Sequence, residues 1–455
     1  MKVKEKHEEC GVVGIYSKKG KNVAPLLYKA LVALQHRGQD ATGMAIYHNG
    51  KITERKGVGI AGEVFSEKDL ALPGAIGIGH TRYPTIGGCS GKNAQPTVYD
   101  EIAVAHNGHI ANYNEIRQEL EKSGYVFTST VDSEPVAYWL HREKELEKGV
   151  RSVLENFEGA FSDVALYHGA LLCFRDKHEI RPLVWGENEE IIVIASETVA
   201  LDVCGASYKG DVPGGGFFLI NNNRIERVKI SERVPRHCMF EYVYFSRPDS
   251  IINGKSVHSV RLALGSELAR EAPARADVVI PVPDTSRTAA MAYAKSLGLT
   301  YDEGLIKNRY IARTFIMPTQ KKRTEAVQLK LNPLREVIAH KRVVLIDDSI
   351  VRGTTAREIV QIIRSAGAKE VHVRITSPPI ISPCFYGVDI PTYKELIASS
   401  KNVDEIARFV GADSLAYLSI DGLRKAIGLP ICEGCITGKY HTTFVQKLAE
   451  QRRSG

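Results

Sequence analysis

The first half of the chain alternates short apolar runs with turns rich in glycine and asparagine. Between residue 10 and about residue 230 these runs include VVGIYS, GMAIYHNG, AIGIGHTRY, EIAVAHNG, EEIIVIAS and GGGFFLINNN. Apolar residues follow a helical spacing at 23–36 and 112–123. Many short strands with few helices between them predict packed β-sheets with helices on the outside.

The second half changes to an alternation of helices and buried strands. From about residue 255, SVRLALGSELARE predicts a helix, ADVVIPVPD a strand, and TAAMAYAKSLG a helix that ends at Gly298. KRVVLIDDS predicts another buried strand, followed by a helix and by the strand VHVRIT. This alternation is typical of a parallel, doubly wound sheet. We predict an α+β domain over 10–235 and an α/β domain over 236–455, with the boundary in the segment 231–254.

Composition narrows the class of protein without deciding its function. The chain has 455 residues, of which 44% are hydrophobic and 25% charged, so two or three ordinary globular domains are expected. Its net charge of +7 suits a small anionic substrate as well as a nucleic acid. No apolar run approaches the roughly 18 residues that span a membrane. The leader MKVKEKHEE lacks the apolar core of a secretory signal, and we expect a cytoplasmic protein.

The segment VVLIDDSIVRGTTA, residues 343–356, carries the strongest chemical motif. Residues 343–346 predict a strand, and Asp347 and Asp348 lie at its carboxyl end, where open α/β sheets bind ligands. A small polar loop, 349–355, then leads into a helix, whose N-terminus favours phosphate. The acidic pair suits sugar hydroxyls and Mg²⁺. The structural alternative is an Asp-Asp turn that only caps a helix. The segment is not a Walker P-loop, because it lacks the pattern G-x-x-x-x-G-K-[ST].

This segment closely resembles the phosphoribosyl-pyrophosphate (PRPP) motif of type I phosphoribosyltransferases. The resemblance extends to VVIPVPDTS, residues 278–286, whose terminal loop holds pyrophosphate in that family, and to the basic segment 307–333, which is a flap there. It implies Mg²⁺ as cofactor, bound by Thr285, Asp347 and Asp348. The implied PRPP-binding residues are Asp284, Thr285, Ser286, Lys307, Arg309, Tyr310, Asp347, Asp348, Ser349, Arg352, Gly353, Thr354 and Thr355. For the basic segment, a solvated charged loop remains the alternative.

A cysteine lies close to the start of the chain, in HEECGVVGIY, behind a charged leader of nine residues. A buried structural thiol is one interpretation of Cys10. The other is that residues 1–9 are removed, so that Cys10 becomes the first residue. A nucleophilic cysteine needs a base, and at a chain start its own α-amine, with a pKa of about 7.7–8.0, can serve.

Four further segments lie in a fixed order after Cys10: LQHRGQDATGM, GHTRYPT, AHNGHIAN and STVDSEP. Together with CGVVGIY they resemble class II glutamine amidotransferases, which are N-terminal-nucleophile hydrolases of αββα architecture. The resemblance implies Cys10 as nucleophile, with Asn107 and Gly108 as oxyanion donors. It further implies that Arg37, Gly38, Arg82 and Asp132 bind glutamine.

Four cysteines could hold a metal group: Cys238, Cys384, Cys432 and Cys435. From the residues alone, a [4Fe–4S] cluster, a tetrahedral Zn²⁺ and free thiols all stay open. One branch of the amidophosphoribosyltransferases carries a [4Fe–4S] cluster on cysteines in these contexts, and the resemblance implies that cofactor here. Its role would be structural or oxygen-sensing. Cys89, Cys173 and Cys204 are expected to be ordinary core or loop thiols.

Over essentially its whole length the chain resembles the glutamine PRPP amidotransferase family. That resemblance implies transfer of ammonia from glutamine to C1 of PRPP, the committed step of purine synthesis. It also implies a homotetramer inhibited by purine nucleotides, with no nucleic-acid or membrane partner. The rival interpretations are a glutamine-dependent transferase with another acceptor, and a PRPP-sensing regulator or nucleic-acid binder without catalysis.

Overall fold

The computed structural model describes residues 10–83, 91–308, 331–390 and 392–454. Several sequence predictions lie outside the described residues: the leader 1–9, Cys89, Arg309, Tyr310 and most of the basic segment 307–333. Across the described ranges, no helix combines the length and the apolar character that crossing a membrane requires.

Two stacked antiparallel sheets form the first half. Their strands are β1 (Gly11–Ser17), β2 (Ala41–His48), β3 (Lys51–Val58), β4 (Ile76–Arg82), β5 (Thr97–Tyr99), β6 (Ile102–Ile110), β7 (Gly159–Tyr167), β8 (Ala170–Arg175), β9 (Val184–Glu187), β10 (Ile191–Ala195), β11 (Ser207–Asp211), β12 (Gly216–Asn221) and β13 (Arg224–Lys229). One sheet has the order β11-β9-β10-β1-β4-β2-β3 and the other β13-β12-β8-β7-β6-β5. Facing apolar side chains, among them Val12, Ile78, Val164 and Leu171, fill the space between the sheets.

Helices cover the outer face of each sheet. They are α1 (Ala24–Ala33), α2 (Ala61–Val64), α3 (Glu67–Leu70), α4 (Tyr113–Lys122), α5 (Ser133–Arg142), α6 (Leu146–Asn156) and α7 (Thr198–Val203). Leu27 of α1 and Leu201 of α7 join the core on the side of the first sheet. Ile116 of α4, Trp139 of α5 and Val150 of α6 pack on the second sheet. The layers therefore follow the order αββα, as predicted.

A parallel sheet organises the second half. Its elements are β14 (His237–Cys238), a π-helical turn (Glu241–Phe245), β15 (Ile251–Ile252), β16 (Lys255–Ser256), α8 (Val257–Glu271), β17 (Val278–Pro281), α9 (Arg287–Leu297), β18 (Thr300–Tyr301), β19 (Leu305–Lys307), β20 (Leu331–Pro333), α10 (Arg335–Ile338), β21 (Arg342–Asp347), α11 (Thr354–Ser365), β22 (Glu370–Ile375), α12 (Val403–Val410), β23 (Ser414–Tyr417), α13 (Ile420–Ile427), β24 (Ile431–Cys432), α14 (Gly434–Thr437) and α15 (Thr443–Ser454). The sheet order is β18-β17-β21-β22-β23, with every neighbouring pair parallel.

Both faces of this sheet are covered, which confirms the predicted doubly wound arrangement. Alternate residues of β21 point to opposite faces: Val344 packs with α8 and α9, whereas Val343 packs with α11 and α12. Helix α9 ends at Gly298, whose φ of 66° is left-handed, as its sequence predicted.

The C-terminal segment returns to the region where the two halves join. Strand β14 pairs in parallel with β24, so His237 lies opposite Ile431 and Cys238 opposite Cys432. The predicted boundary at 235/236 falls between β13 and β14 and stays a prediction.

Candidate active sites

Cys10 lies immediately before β1, a strand in the interior of the first sheet between β10 and β4. Its Sγ is 3.5 Å from the carbonyl oxygen of Tyr83. Burial raises the pKa of the thiol, although the Tyr83 hydrogen bond and the charge of Arg82 oppose that shift. A thiol in this position stays protonated at neutral pH, so a nucleophilic role requires a base.

Arg37 holds the backbone of Cys10 in place. Its Nε donates to the carbonyl oxygen of Cys10 at 3.0 Å. Its Nη1 donates to Glu197 at 2.6 Å, and its Nη2 donates to Glu241 at 2.7 Å. The guanidinium is fully buried, so these carboxylates compensate a charge that has lost its water. The structure thus shows Arg37 as a support of the Cys10 backbone, and its predicted contact with glutamine stays a prediction.

Gly38 allows the turn after α1 to touch strand β4. A Cβ at Gly38 would lie 2.6 Å from the carbonyl carbon of Arg82 and 2.8 Å from that of Thr81. These neighbours are backbone atoms in the middle of a sheet, so they cannot move aside cheaply. A side chain at position 38 would therefore force the turn that carries Arg37 away from β4.

Asn107 and Gly108 lie on β6, in the second sheet. The Nδ2 atom of Asn107 is buried and has no hydrogen-bond partner among the described residues. Gly108 has a φ of 154°, and a Cβ there would collide with the backbone of Ala160 on β7. The buried Asn107 amide is available to donate to a substrate oxygen, and the oxyanion role of both residues stays a prediction.

Asp132 precedes α5 and forms a buried charge pair with His106. Its Oδ2 lies 3.6 Å from His106 Nε2 and accepts from the backbone N–H of Ile110 at 3.2 Å. Burial alone would raise the pKa of Asp132, but the charge of His106 lowers it to about 2. His106 Nδ1 is 2.8 Å from Asp163, and although burial opposes it, the two carboxylates raise the pKa of His106 well above 6.5. Asp132 is therefore ionised at neutral pH.

Asp347 and Asp348 end the central strand β21, as predicted, and both are buried. Thr285 Oγ1 donates to Asp348 Oδ2 at 2.7 Å, and Ser349 Oγ donates to Asp348 Oδ1 at 2.6 Å. The backbone N–H of Asp348 donates to Asp347 Oδ1 at 2.9 Å. The structure thus brings Thr285 beside the acidic pair. The two segments that were predicted to bind the metal therefore lie next to each other.

The loop after this pair leads into helix α11 through Gly353, whose φ is 78°. Thr354 and Thr355 are exposed in the first turn, where backbone N–H groups have no intrahelical partner. Arg352 lies 3.5 Å from Glu395, at the edge of the loop. A helix of twelve residues behind a glycine turn gives this loop the geometry of a phosphate site.

Asp284 and Lys307 line an open groove beside the acidic pair. Lys307 Nζ donates to Asp284 Oδ2 at 3.0 Å, and Arg287 lies 3.6 Å from the other oxygen. The cavity has a volume of about 510 Å³ and is lined by Pro248, Asp284, Arg287, Thr288 and Lys307. Ser286 Oγ is buried with no hydrogen-bond partner in the described part of the chain. The groove thus holds two cations, Arg287 and Lys307, and the predicted pyrophosphate loop next to it holds a hydroxyl without a partner in that part of the chain.

The four grouped cysteines lie near one another where the C-terminal segment meets β14. Cys238 and Cys432 are register partners, and Cys384 precedes Tyr386, whose backbone N–H donates to its Sγ at 3.3 Å. Burial raises the pKa of Cys435, and the charges of the other three thiols add to that effect. Within the described ranges, no three His, Cys, Asp or Glu side chains are close enough to hold a single metal ion.

Comparisons with known proteins match both halves separately. A family model described as a glutamine amidotransferase domain matches residues 80–203, and one described as a phosphoribosyl transferase domain matches residues 258–376. The amidophosphoribosyltransferase of Methanothermobacter thermautotrophicus is 47% identical over 98% of this chain and 97% of its own. That of Bacillus subtilis is 43% identical over 98% and 96%. The chain belongs to the amidophosphoribosyltransferase family.

Solved structures agree with this assignment. The B. subtilis glutamine PRPP amidotransferase complexed with ADP and GMP superposes with a TM-score of 0.89, at 42% identity, over 95% of this chain and 97% of that one. A structure described as the allosteric regulatory enzyme of purine biosynthesis gives a TM-score of 0.91 at 43% identity, over 97% and 99%. The family carries out the glutamine-dependent first step of purine biosynthesis, as the sequence predicted.

Sequence reasoning missed several residues that support the amidophosphoribosyltransferase sites. Glu197 and Glu241 hold Arg37 from positions 160 and 204 residues away in the chain. His106 directly precedes Asn107 in the sequence. This adjacency was the one available signal that His106 pairs with Asp132. Two further contacts join the halves: Arg181 donates to the carbonyl oxygen of Tyr386 at 2.8 Å, and Gly387 lies against Gly108. They depend on packing between the halves, which no local sequence pattern indicates.

The Gly38→Ala variant should be destabilised because its Cβ would press on the backbone of β4. Overpacking of this kind costs about 1–3 kcal/mol. The matched control is Gly91→Ala, since a Cβ at Gly91 has no neighbour within 4 Å. Scanning calorimetry should show a lower Tm for Gly38→Ala only. Equal Tm values for the two variants would show that the backbone of β4 can move at this contact without a loss of stability.

Proposed function

We propose that this chain transfers ammonia from glutamine to C1 of PRPP, giving 5-phosphoribosylamine, glutamate and pyrophosphate. The observation that carries this proposal is that one chain holds both sites, in two halves that contact each other directly. Arg37, which fixes Cys10, is paired with Glu241 of the second half. An acidic pair and a phosphate loop lie at the end of the parallel sheet in that same half.

In the first step, the Cys10 thiolate attacks the side-chain amide carbon of glutamine. Ammonia leaves as the thioester forms, and water then releases glutamate. Because burial raises the pKa of the thiol, a base must take its proton, and the α-amine of Cys10 becomes that base once residues 1–9 are removed. Asn107 Nδ2 and the backbone N–H of Gly108 would stabilise the oxyanion.

Glutamine recognition follows from the charges around this nucleophile. Asp132, ionised and buried, would pair with the α-amino group of glutamine. Arg82, 3% exposed at the end of β4, would bind the α-carboxylate. Gly38 lies against the backbone of Arg82, which supports its predicted place in the glutamine pocket.

In the second step, ammonia attacks C1 of PRPP while the C1–oxygen bond to pyrophosphate breaks. The first turn of α11 and the loop 349–355 would bind the 5-phosphate through backbone N–H groups. Lys307 and Ser286 would contact the pyrophosphate. The oxygens of Asp347, Asp348 and Thr285 fit a Mg²⁺ that is shared with substrate, since Mg²⁺ is commonly held by one or two carboxylates plus phosphates. Bound there, it would neutralise charge on the leaving group.

For the four cysteines we propose a [4Fe–4S] cluster rather than a single Zn²⁺. The support is the resemblance to the cluster-bearing branch of the family and the mutual electrostatic effect of the four thiols. Four thiolates could equally hold a tetrahedral Zn²⁺, so metal analysis has to decide between the two. Cys238, Cys384, Cys432 and Cys435 would hold the cluster, which would link β14 to the C-terminal segment.

Further properties of the family complete the proposal. They are a propeptide over 1–9, domains divided at 235/236, a homotetramer, a cytoplasmic location and inhibition by purine nucleotides. The B. subtilis relative, solved with ADP and GMP, supports the last of these.

The test measures pyrophosphate release from Mg·PRPP with either glutamine or ammonia as nitrogen donor, using anaerobically purified protein. Wild-type protein should use both donors. The Cys10→Ala variant should lose glutamine-dependent release and retain the ammonia reaction, since only the first step needs the thiol. The Cys204→Ser variant serves as a control at a thiol outside the sites. No pyrophosphate with either donor would refute the transferase and favour a PRPP-sensing regulator.

The Cys435→Ser variant should lose its iron, because a cluster with three cysteine ligands is labile. Iron, sulfide and zinc analysis of anaerobically purified protein, with visible absorption, measures this directly. Wild-type protein and Cys204→Ser should each contain four irons per chain. Stoichiometric zinc in wild-type protein would show that the four cysteines bind zinc instead of a cluster. Absence of both metals would show that they are free thiols.

A further inference from the structure

The loop 384–388 of the second half lies directly against Gly108 on strand β6 of the first half. Gly387 has a φ of 102°, and a Cβ there would lie 3.0 Å from the carbonyl carbon of Gly108. The Cα and the oxygen of Gly108 would each be 3.2 Å from that Cβ. These separations are shorter than ordinary van der Waals contact, so backbone touches backbone at this point.

Gly108 is enclosed on its other side as well. A Cβ at Gly108 would collide with the carbonyl oxygen of Ala160 on the neighbouring strand β7. The backbone of Gly108 is therefore held between β7 and Gly387, which lies against its Cα and carbonyl group. The Gly108 N–H is attached next to the same Cα, so a shift at this contact would move the N–H as well.

The loop 384–388 is itself held in place, so it cannot easily recede. The carbonyl oxygen of Tyr386 accepts from Arg181 Nε at 2.8 Å, and Arg181 is completely buried. The Tyr386 hydroxyl accepts from the backbone N–H of His441 at 3.0 Å. The backbone N–H of Tyr386 donates to Cys384 Sγ at 3.3 Å. These anchors come from both halves of the chain.

We propose that Gly387 is a positioning residue for the amide-hydrolysis step, because its bare backbone fixes the Cα and carbonyl group of Gly108 and thereby the direction of the adjoining N–H. This inference rests on the proposed function, in which that N–H stabilises the oxyanion. A side chain at position 387 would push the Gly108 peptide by a few tenths of an ångström. Removal of one oxyanion donor costs about 10²–10³ in kcat, so a partial displacement should cost about 10- to 100-fold.

The experiment compares Gly387→Ala with Gly124→Ala in the full chain. Gly124 has a similar φ of 91° but open space around it, so alanine there carries the backbone cost without the contact. Gly387→Ala should lower kcat for glutamine hydrolysis about 10- to 100-fold while KM for glutamine changes less than about 3-fold. Its ammonia-dependent pyrophosphate release should equal that of wild-type protein. Gly124→Ala should match wild-type protein in all three measurements.

An unchanged kcat in Gly387→Ala would overturn the inference, as would an equal loss of the glutamine and ammonia reactions. If Gly387→Ala does not fold, hydrogen exchange on wild-type protein decides instead. Alkylation of Cys10 by a diazoketone analogue of glutamine should then increase protection of the 385–389 amides, and unchanged protection overturns the inference. Wild-type protein without Cys10-dependent glutamine hydrolysis would refute the proposed function itself, and this inference with it.

Discussion

A buried ion network centred on Arg37 is the constraint on which the rest of the structure depends. Its guanidinium is fully desolvated, and Glu197 and Glu241 compensate its charge and accept its hydrogen bonds. Burial would raise the pKa of Glu197, yet the charges of His36 and Arg37 lower it below its ordinary value. The same guanidinium binds the carbonyl of Cys10, so the position of the nucleophile is tied to the integrity of this network.

The network also links the two halves of the chain through buried ion pairs. Glu241 belongs to the π-helical turn after β14. Its Oε1 also forms an ion pair with Arg181 Nη1, at 3.6 Å. Arg181 in turn binds the carbonyl of Tyr386, in the loop that carries Cys384. A continuous path of buried charges and hydrogen bonds therefore runs from Cys10 to the cysteine group. The position of the nucleophile depends on side chains from three distant parts of the chain.

Local sequence patterns predicted the elements that carry the PRPP chemistry. Strand β21, the acidic pair and helix α11 follow one another without interruption, so their periodicity and order suffice to place a phosphate site. The αββα half was predicted from its short apolar runs, although β7 and helices α5 and α6 were not specified. All nine residues of β7 are buried, so its sequence lacks the alternation that marks a half-buried strand.

The supports of the site could not be predicted in the same way. Arg37 reaches Glu241 across 204 residues, and Gly387 meets Gly108 across the junction of the two halves. Such contacts depend on how finished domains pack, and no spacing along the chain encodes them. The sequence predicted Arg37 as a glutamine-binding residue, which stays a prediction, whereas the structure shows its guanidinium donating to the carbonyl oxygen of Cys10.

The most direct test of this account is the ratio of glutamine-dependent to ammonia-dependent pyrophosphate release in Glu241→Gln, at a temperature where circular dichroism shows the variant folded. The substitution keeps the size of the side chain and removes its charge from Arg37. We expect the ratio to fall by about 10-fold or more, because a displaced Cys10 backbone impairs only the glutamine half. A ratio equal to that of wild-type protein would contradict the claim that this network positions the nucleophile.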